Sequence, residues 1–351
     1  MDWGLGHATR CIPVIKELLK QGAEVVIGAD NRPLELLKNE FPELEFIKFP
    51  SYQITYPDKG SMVLKMLFSI PKIWNGIKKE HHLLQAIIKK YSIDAVISDN
   101  RFGLWTGLVP CVFITHQINI KSPFGENFLY RINKYFIKKY DKCWIPDYAG
   151  ENNLSGDLSH LFPLPINADF IGVLSRFQQP NNLTIQQFNN LDLFVIISGP
   201  EPQRTIFEKL IFEQLKTTKL KTVAVCGTPE KPYQYSLTDT IKVFSHLQSD
   251  EFLKCILDAE IIISRSGYST IMDLAALNKK AIFIPTPGQT EQEYLAKYLS
   301  KKQLCLSYSQ NKFNIKEALQ NINKISPLEN NINLNNNIIK QKIQNLLFSI
   351  Q

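Results

Sequence analysis

The sequence predicts two α/β domains, each a largely parallel sheet with helices on both faces. Three observations lead there. The chain has 351 residues, too many for one ordinary core and enough for two of roughly 150 residues each. Apolar strand-like runs alternate with amphipathic helical stretches, the pattern of a parallel sheet. The alternation breaks once, over residues 146–180, which are rich in Pro, Gly, Asn, Asp and Ser, and then restarts. The expected boundary is near Phe177, giving domains over 1–177 and 178–351.

In the first half, residues 8–21 read as a helix stopped by Gly22, and 24–28 as a short buried strand. Pro33 sits in the first turn of the next helix, and 44–49 is strand-like. A long helix is expected over 62–91, strands over 94–98 and 111–115, a helix over 124–139 and a strand over 142–145. Residues 171–177 run into the linker. In the second half, strands are expected over 193–198, 222–226, 242–245, 260–264 and 281–285. Helices are expected over 203–217, 250–257, 270–277 and 291–301. The tail is Asn-rich over 321–337 and then amphipathic, a loop followed by a closing helix that packs back on the first domain. One strand is missing: a Gly-rich loop of a doubly wound sheet follows a buried strand, yet here it begins at residue 2. Either the gene start is placed too far downstream or the sheet lacks its first central strand. The first is expected, because the second leaves two rows of backbone groups unpaired.

Composition narrows the function. The hydrophobic fraction of 44% and charged fraction of 21% are those of a soluble globular chain. No apolar run approaches the roughly 20 residues that span a bilayer, and no signal peptide is seen, so a cytoplasmic location is the default. Six scattered cysteines without a CxxC pair read as reduced thiols. The net charge of +7 is concentrated in residues 61–142, which hold 13 Lys/Arg against five Asp/Glu. Such a surface meets anionic lipid, nucleic acid or a phosphorylated substrate. No nucleic-acid-binding module is present, and nucleic acid is not expected as a partner.

Three stretches carry chemistry. Asp2-Trp-Gly-Leu-Gly-His-Ala-Thr-Arg10 places Gly4 and Gly6 where a backbone turns sharply beside a ligand, with His7 at the start of a helix. The same string also suits an ordinary turn with a helix-capping histidine. Ser198-Gly-Pro-Glu-Pro-Gln-Arg204 follows an apolar strand and precedes a helix, where N-terminal amides hold phosphate and Arg204 adds positive charge. A Pro-rich connecting turn is the plainer reading. Ser264-Arg-Ser-Gly-Tyr-Ser-Thr-Ile-Met-Asp-Leu-Ala-Ala276 is the most informative. A strand ends, a small-residue loop containing Arg265, Ser266 and Gly267 turns, and a helix starts. Asp273 lies one turn inside, where a carboxylate accepts both hydroxyls of a ribose. Ile284-Pro-Thr-Pro-Gly-Gln-Thr-Glu-Gln-Glu-Tyr294, with Gln289, Gln292 and Glu293, suits polyhydroxyl recognition.

On these blocks the second half resembles the C-terminal domain of glycosyltransferase family 28, best over 193–307. That family includes the peptidoglycan enzyme that adds N-acetylglucosamine to lipid I. The N-terminal loop is similar to that family's Gly-rich loop ending in histidine. The resemblance implies two Rossmann-like domains facing across a cleft, the GT-B arrangement, and a UDP-sugar as co-substrate. It implies that Asp273 binds uridine ribose, that Ser266 and Gly267 hold diphosphate, and that Gln292 contacts the donor sugar. Glu293 stands where the family has a second glutamine, which leaves the sugar open. Leu247 and Gln248 fall near the uracil site, and Ser198 and Gly199 stand at a phosphate loop from which Pro200 and Pro202 depart. His7 matches the histidine near the acceptor. The implied activity is inverting transfer of a hexose or N-acetylhexosamine to a lipid-linked or glycan acceptor in cell-envelope synthesis.

Position adds further candidates. Asp99 and Arg101 follow one strand of the first half and His116 another, at carboxyl ends where open sheets bind ligands. Asp99 is an alternative to His7 as base, and Arg101 and His116 are candidates for the acceptor. Each also fits a polar residue capping a helix. The sequence holds no Asp-x-Asp pair, so neither metal nor other cofactor is expected. Residues 61–90 and 128–144 interleave lysines with large apolar side chains, which suits peripheral contact with an anionic membrane or a core helix with a solvated face. Two rival readings stay open: a nucleotide-sugar epimerase or hydrolase of the same architecture, and a non-catalytic sugar-nucleotide-binding or scaffold protein.

Overall fold

A computed structural model describes residues 6–50, 62–122, 125–177, 190–228, 231–328 and 332–350, except the side chains of 62–73 and 332–337. Gly4 and the side chains of the first basic-apolar stretch up to Ile73 lie outside the described residues. The chain divides into two compact units, Met1–Arg176 with Ile332–Gln351, and Phe177–Asn331.

The first unit opens with helix α1 (Gly6–Lys20), strand β1 (Val26–Ala29), α2 (Asn31–Glu40) and β2 (Glu45–Lys48). Gly22 ends α1 at φ +82°, the left-handed conformation that lets the chain reverse out of a helix. Ala8, Ile12 and Ile15 of α1 pack with Ile27, Leu34 and Phe41 in one apolar cluster. The unit continues with α3 (Met62–Tyr91), β3 (Val96–Asp99), β4 (Cys111–Ile114), α4 (Glu126–Ile137), β5 (Lys142–Ile145), α5 (Asp157–His160) and β6 (Ala168–Phe170). β1 and β2 form a parallel pair, and β3-β4-β5-β6 form a second, four-stranded parallel sheet.

Residues 146–170 are not the loose linker that their composition suggests. They are organised around Asp147, which is fully buried. Its carboxylate accepts from the amides of Tyr148 (2.8 Å), Leu154 (2.9 Å) and Ser155 (2.9 Å), and from the Ser155 hydroxyl. His160 joins at 3.3 Å and stacks on Phe170 of β6. Turn-forming residues here are satisfied by a side chain instead of a ladder, so the segment packs without periodicity.

The second unit runs β7 (Leu191–Ile196), α6 (Gln203–Leu215), β8 (Thr222–Val225), β9 (Gln234–Thr238), β10 (Ile241–Phe244), α7 (Ser249–Asp258), β11 (Ala259–Ser264), α8 (Tyr268–Ala276), β12 (Lys280–Phe283), α9 (Thr290–Lys301), β13 (Leu306–Ser307) and α10 (Ile315–Asn321). The sheet order is β13-β12-β11-β7-β8-β10-β9, parallel except for the β9–β10 hairpin. Leu193, Val195, Ile263, Ile282 and Phe207 share its core. Helix α11 (Ile332–Phe348) then returns to the first unit, where the Gln21 amide donates to the carbonyl of Lys340 at 3.1 Å.

Candidate active site

In the second unit the chain enters at β7, builds β8 and β10 on one side, then crosses to build β11 and β12 on the other. The order therefore reverses between β7 and β11. Loops leaving the carboxyl ends of such a pair diverge and leave a crevice, which is where open α/β sheets take ligands. Here those loops are residues 197–202 and 265–267, so the two glycine-bearing motifs of the second half are neighbours. Ser198 is half-buried and Gly199 exposed. Gly199 has φ +118°, which an L side chain rarely tolerates. The loop after β12 reaches the same place: Thr286 Oγ1 lies 3.7 Å from where a Cβ on Gly199 would stand. That hydroxyl is buried with no hydrogen-bond partner, which is uncommon in a folded protein. Thr286 was not singled out from the sequence, although it lies inside the 284–294 block.

Helix α8 begins at Tyr268, two residues before the expected start. Its N-cap is Gly267, which has no side chain to offer the first amides. Ser266 is fully buried and its hydroxyl donates to the Gln292 carbonyl at 2.8 Å. Asp273, on the second turn of α8, is buried at 8% exposure. Gln289, Gln292 and Glu293 shape the loop after β12. The Gln289 amide donates to the Thr286 carbonyl (3.0 Å), Gln292 Oε1 accepts from the Thr286 amide (2.9 Å), and Glu293 Oε1 accepts from the Gly288 amide (2.9 Å). After β10, Leu247 is buried and Gln248 is the exposed N-cap of α7, its amide donating to Glu251 at 3.3 Å.

Two arginines expected to meet the donor are engaged elsewhere. Arg204 donates to Glu201 and Glu208, both at 2.6 Å, and to the carbonyl of Cys226 at 3.3 Å. Two carboxylates already match its charge. Arg265 is buried and lies flat over Phe207, 4.1 Å from the ring centre. It donates to the carbonyls of Ile284 (2.9 Å), Pro285 (3.1 Å) and Gln203 (3.0 Å) and to Gln310 (2.6 Å). Burial pushes its pKa down to about 10, still protonated at neutral pH. Arg265 braces the loops around the switch point.

In the first unit a cluster forms where α1 meets the carboxyl ends of β3 and β4. Asp99 holds Arg10 through both oxygens: Arg10 Nε donates to Oδ2 at 3.1 Å and Nη2 donates to Oδ1. Arg10 Nη1 donates to His116 Nδ1 at 2.8 Å. His7 Nδ1 lies 3.3 Å from Asp99 Oδ1 and 3.0 Å from Arg10 Nη2. Burial by itself raises the pKa of Asp99. The charge of Arg10, then of His7, and their hydrogen bonds outweigh it and hold the carboxyl well below the usual range. So held, Asp99 is the shared carboxylate partner of Arg10 and His7. His116 is buried and turned to Arg10. Arg101, the other candidate at this strand end, is engaged within the protein. It is buried, donates to Glu80 at 2.6 Å and to the carbonyls of Phe49 and Pro50, and lies over the Phe49 ring. Gly6 accepts from the Thr9 hydroxyl at 3.0 Å, in the first turn of α1. Arg10 was the residue overlooked, although it closes the quoted Gly-Leu-Gly-His-Ala-Thr-Arg string.

Residues 204–346 match the Glycosyltransferase family 28 C-terminal domain. The chain carries a family 28 C-terminal domain on a GT-B glycosyltransferase fold. Relatives extend along most of its length. An uncharacterised glycosyltransferase of Methanosarcina acetivorans is 23% identical over 83% of this chain and 79% of its own. The UDP-N-acetylglucosamine–N-acetylmuramyl-(pentapeptide) pyrophosphoryl-undecaprenol N-acetylglucosamine transferase of Haemophilus ducreyi is 25% identical over 92% and 86%. Among solved structures, the glycosyltransferase SnogD from Streptomyces nogalater aligns at TM-score 0.65 with 11% identity, covering 99% of this chain and 97% of that one. MurG of Acinetobacter baumannii aligns at 0.51 with 15% identity, over 98% and 95%. At these identities the structural likenesses establish the fold, and with the family 28 match confined to residues 204–346 the comparisons support a glycosyltransferase. Among the described residues no helix is long and apolar enough to cross a membrane, and no group of three His, Cys, Asp or Glu is placed to hold a metal ion.

Proposed function

We propose that this protein is a family 28 glycosyltransferase that transfers a hexose or N-acetylhexosamine from a UDP-sugar to an acceptor hydroxyl, with inversion and without a metal. The observation that carries the reading is the reversal of strand order between β7 and β11, which sets the 197–202 loop beside 265–267 with α8 starting directly behind. The diphosphate sits at the N-terminus of α8 and along the backbone of Ser198 and Gly199, where helix amides favour negative charge. Asp273 takes the ribose hydroxyls, Leu247 and Gln248 border the base, and the 284–293 loop with Thr286 borders the sugar. Because the sequence has no Asp-x-Asp pair, these amides are assigned the charge of the departing diphosphate.

The first unit supplies the base. A guanidinium only donates and a carboxylate only accepts, so His7 Nδ1 serves Asp99 or Arg10, not both. With its proton on Nδ1 toward Asp99, His7 offers Nε2 to the acceptor hydroxyl, and Asp99 steadies the imidazolium that forms. The acceptor class is a lipid-linked or glycan hydroxyl, in keeping with the activity for which the Haemophilus relative is named. The exposed apolar side chains of Trp74, Phe128, Ile132 and Tyr135 beside Lys134, Lys138 and Lys139 suit peripheral membrane contact.

Calorimetric titration with UDP, GDP and dTDP tests the donor assignment. UDP should bind, and Asp273→Ala should weaken it by about tenfold or more, roughly 1.4 kcal/mol. Asp273→Asn controls for folding through its melting temperature. Unchanged UDP affinity in a folded Asp273→Ala protein would remove Asp273 from the site.

A further inference from the structure

Thr286 lies in the connection between β12 and α9 with its backbone already engaged. Its amide donates to Gln292 Oε1 and its carbonyl accepts from the Gln289 amide. The residue is only 2% exposed. Its hydroxyl alone is left over. A hydroxyl donates one proton and accepts at two lone pairs, and burying one unmatched is costly. A valine of the same shape would remove that cost. A threonine here is therefore better suited to a bound partner than to the free protein.

Position gives the chemistry of that partner. β11 lies between β12 and β7 in the sheet. The approach of Thr286 to Gly199 therefore spans the carboxyl end of β11, where 265–267 lead into α8. Among the described residues, and apart from the glycine's own chain neighbours, the Thr286 hydroxyl is the one atom within 4 Å of the place a Gly199 Cβ would take. A ligand oxygen entering beside Gly199 meets this hydroxyl. The arginines of the two loops are committed, Arg204 to Glu201 and Glu208, Arg265 to backbone carbonyls and Gln310. The Ser266 proton goes to the Gln292 carbonyl. An anion here meets neutral donors, the first amides of α8 and the Thr286 hydroxyl. A hydroxyl gains more from an anionic oxygen than from a neutral one, which favours phosphate over a sugar hydroxyl. Sheet order decides which phosphate. The base is assigned to the loop after β10, and Thr286 follows β12 on the opposite side of the switch point. The phosphate farther from the nucleoside is the one that reaches it. Resting on the donor site proposed above, we infer that the Thr286 hydroxyl donates to the distal phosphate of a nucleoside diphosphate and makes the site prefer diphosphate over monophosphate.

Calorimetric titration of the full chain with UDP, UMP and UDP-N-acetylglucosamine, repeated on Thr286→Val and Thr286→Ser, provides the test. The Val variant keeps the shape and loses the hydroxyl. It should bind UDP and the sugar nucleotide about tenfold or more weakly, and UMP within about twofold of the parent. The Ser variant should hold UDP within about threefold, because it keeps the donor. The melting temperature of the free Val variant should equal or exceed that of the parent, since no protein partner is lost. A lowered melting temperature would give the hydroxyl a protein partner and overturn the inference. So would equal losses for UMP and UDP, a loss confined to the sugar nucleotide, or UDP affinity unchanged in the Val variant. A parent protein that binds none of the three would remove the donor site itself, and the role of Thr286 with it.

Discussion

Arg10 is the residue on which the first-unit cluster turns. It is buried at 2% exposure, and Asp99 supplies the carboxylate against it. Removing one member of a buried pair leaves the other desolvated, so Asp99→Asn should cost about 3–5 kcal/mol by urea unfolding at neutral pH. The sign with pH follows from the depressed carboxyl. The stability it contributes is complete above the unfolded value near pH ~3.9 and is lost as pH falls toward the folded value, so the Asn variant should lose less on acidification. Equal stability of the two proteins at pH 7 would contradict this account of the pair. The same residues show what sequence spacing conceals. The helix starts near His7, Ser266 and Asp273 were legible because loop and helix signals surround them. The protein partners of Arg101, Arg204 and Arg265 were not legible, because a strand-end arginine looks alike whether it meets a ligand or a protein partner. Glu80 lies 21 residues before Arg101, and the carbonyl partners of Arg265 come from three separate segments. Only the fold brings these together.

At the scale of elements, α4 carries the clearest exposed surface. Phe128, Ile132 and Tyr135 are 64%, 39% and 52% exposed and recur at helical spacing on one face. An apolar stripe edged by lysines lies against an anionic bilayer at little cost. The pair Phe128→Ala and Ile132→Ala should therefore weaken sedimentation with anionic vesicles by tenfold or more, since burying each side chain contributes about 1.5–3 kcal/mol. The melting temperature should stay put because both side chains are exposed. Binding that persists unchanged would free α4 of the role. Most helices and parallel strands were legible to within two or three residues, because their apolar cores repeat with a fixed period. β6 and β9 were not. β6 has three half-buried residues at a sheet edge, and β9 is mostly exposed, so neither shows a buried run. Asp147 organises its loop through backbone amides, which leave no mark in composition.

Over the whole molecule, the chain is two α/β units of unequal continuity. The first is interrupted and resumed by α11, and the second is one unbroken stretch. The alternation of strand and helix announced this organisation, whereas the sheet order, and with it the switch point, came only from the pairing of β11 with β7. That reversal is the basis for the proposed placement of a nucleotide in the second unit. Hydrogen exchange of the full chain with and without UDP tests the placement most directly. The account predicts slowed exchange in residues 197–202, 245–248 and 265–273 and little change in the first unit. Protection confined to the first unit, or absent from all three of these stretches while UDP is bound, would contradict it.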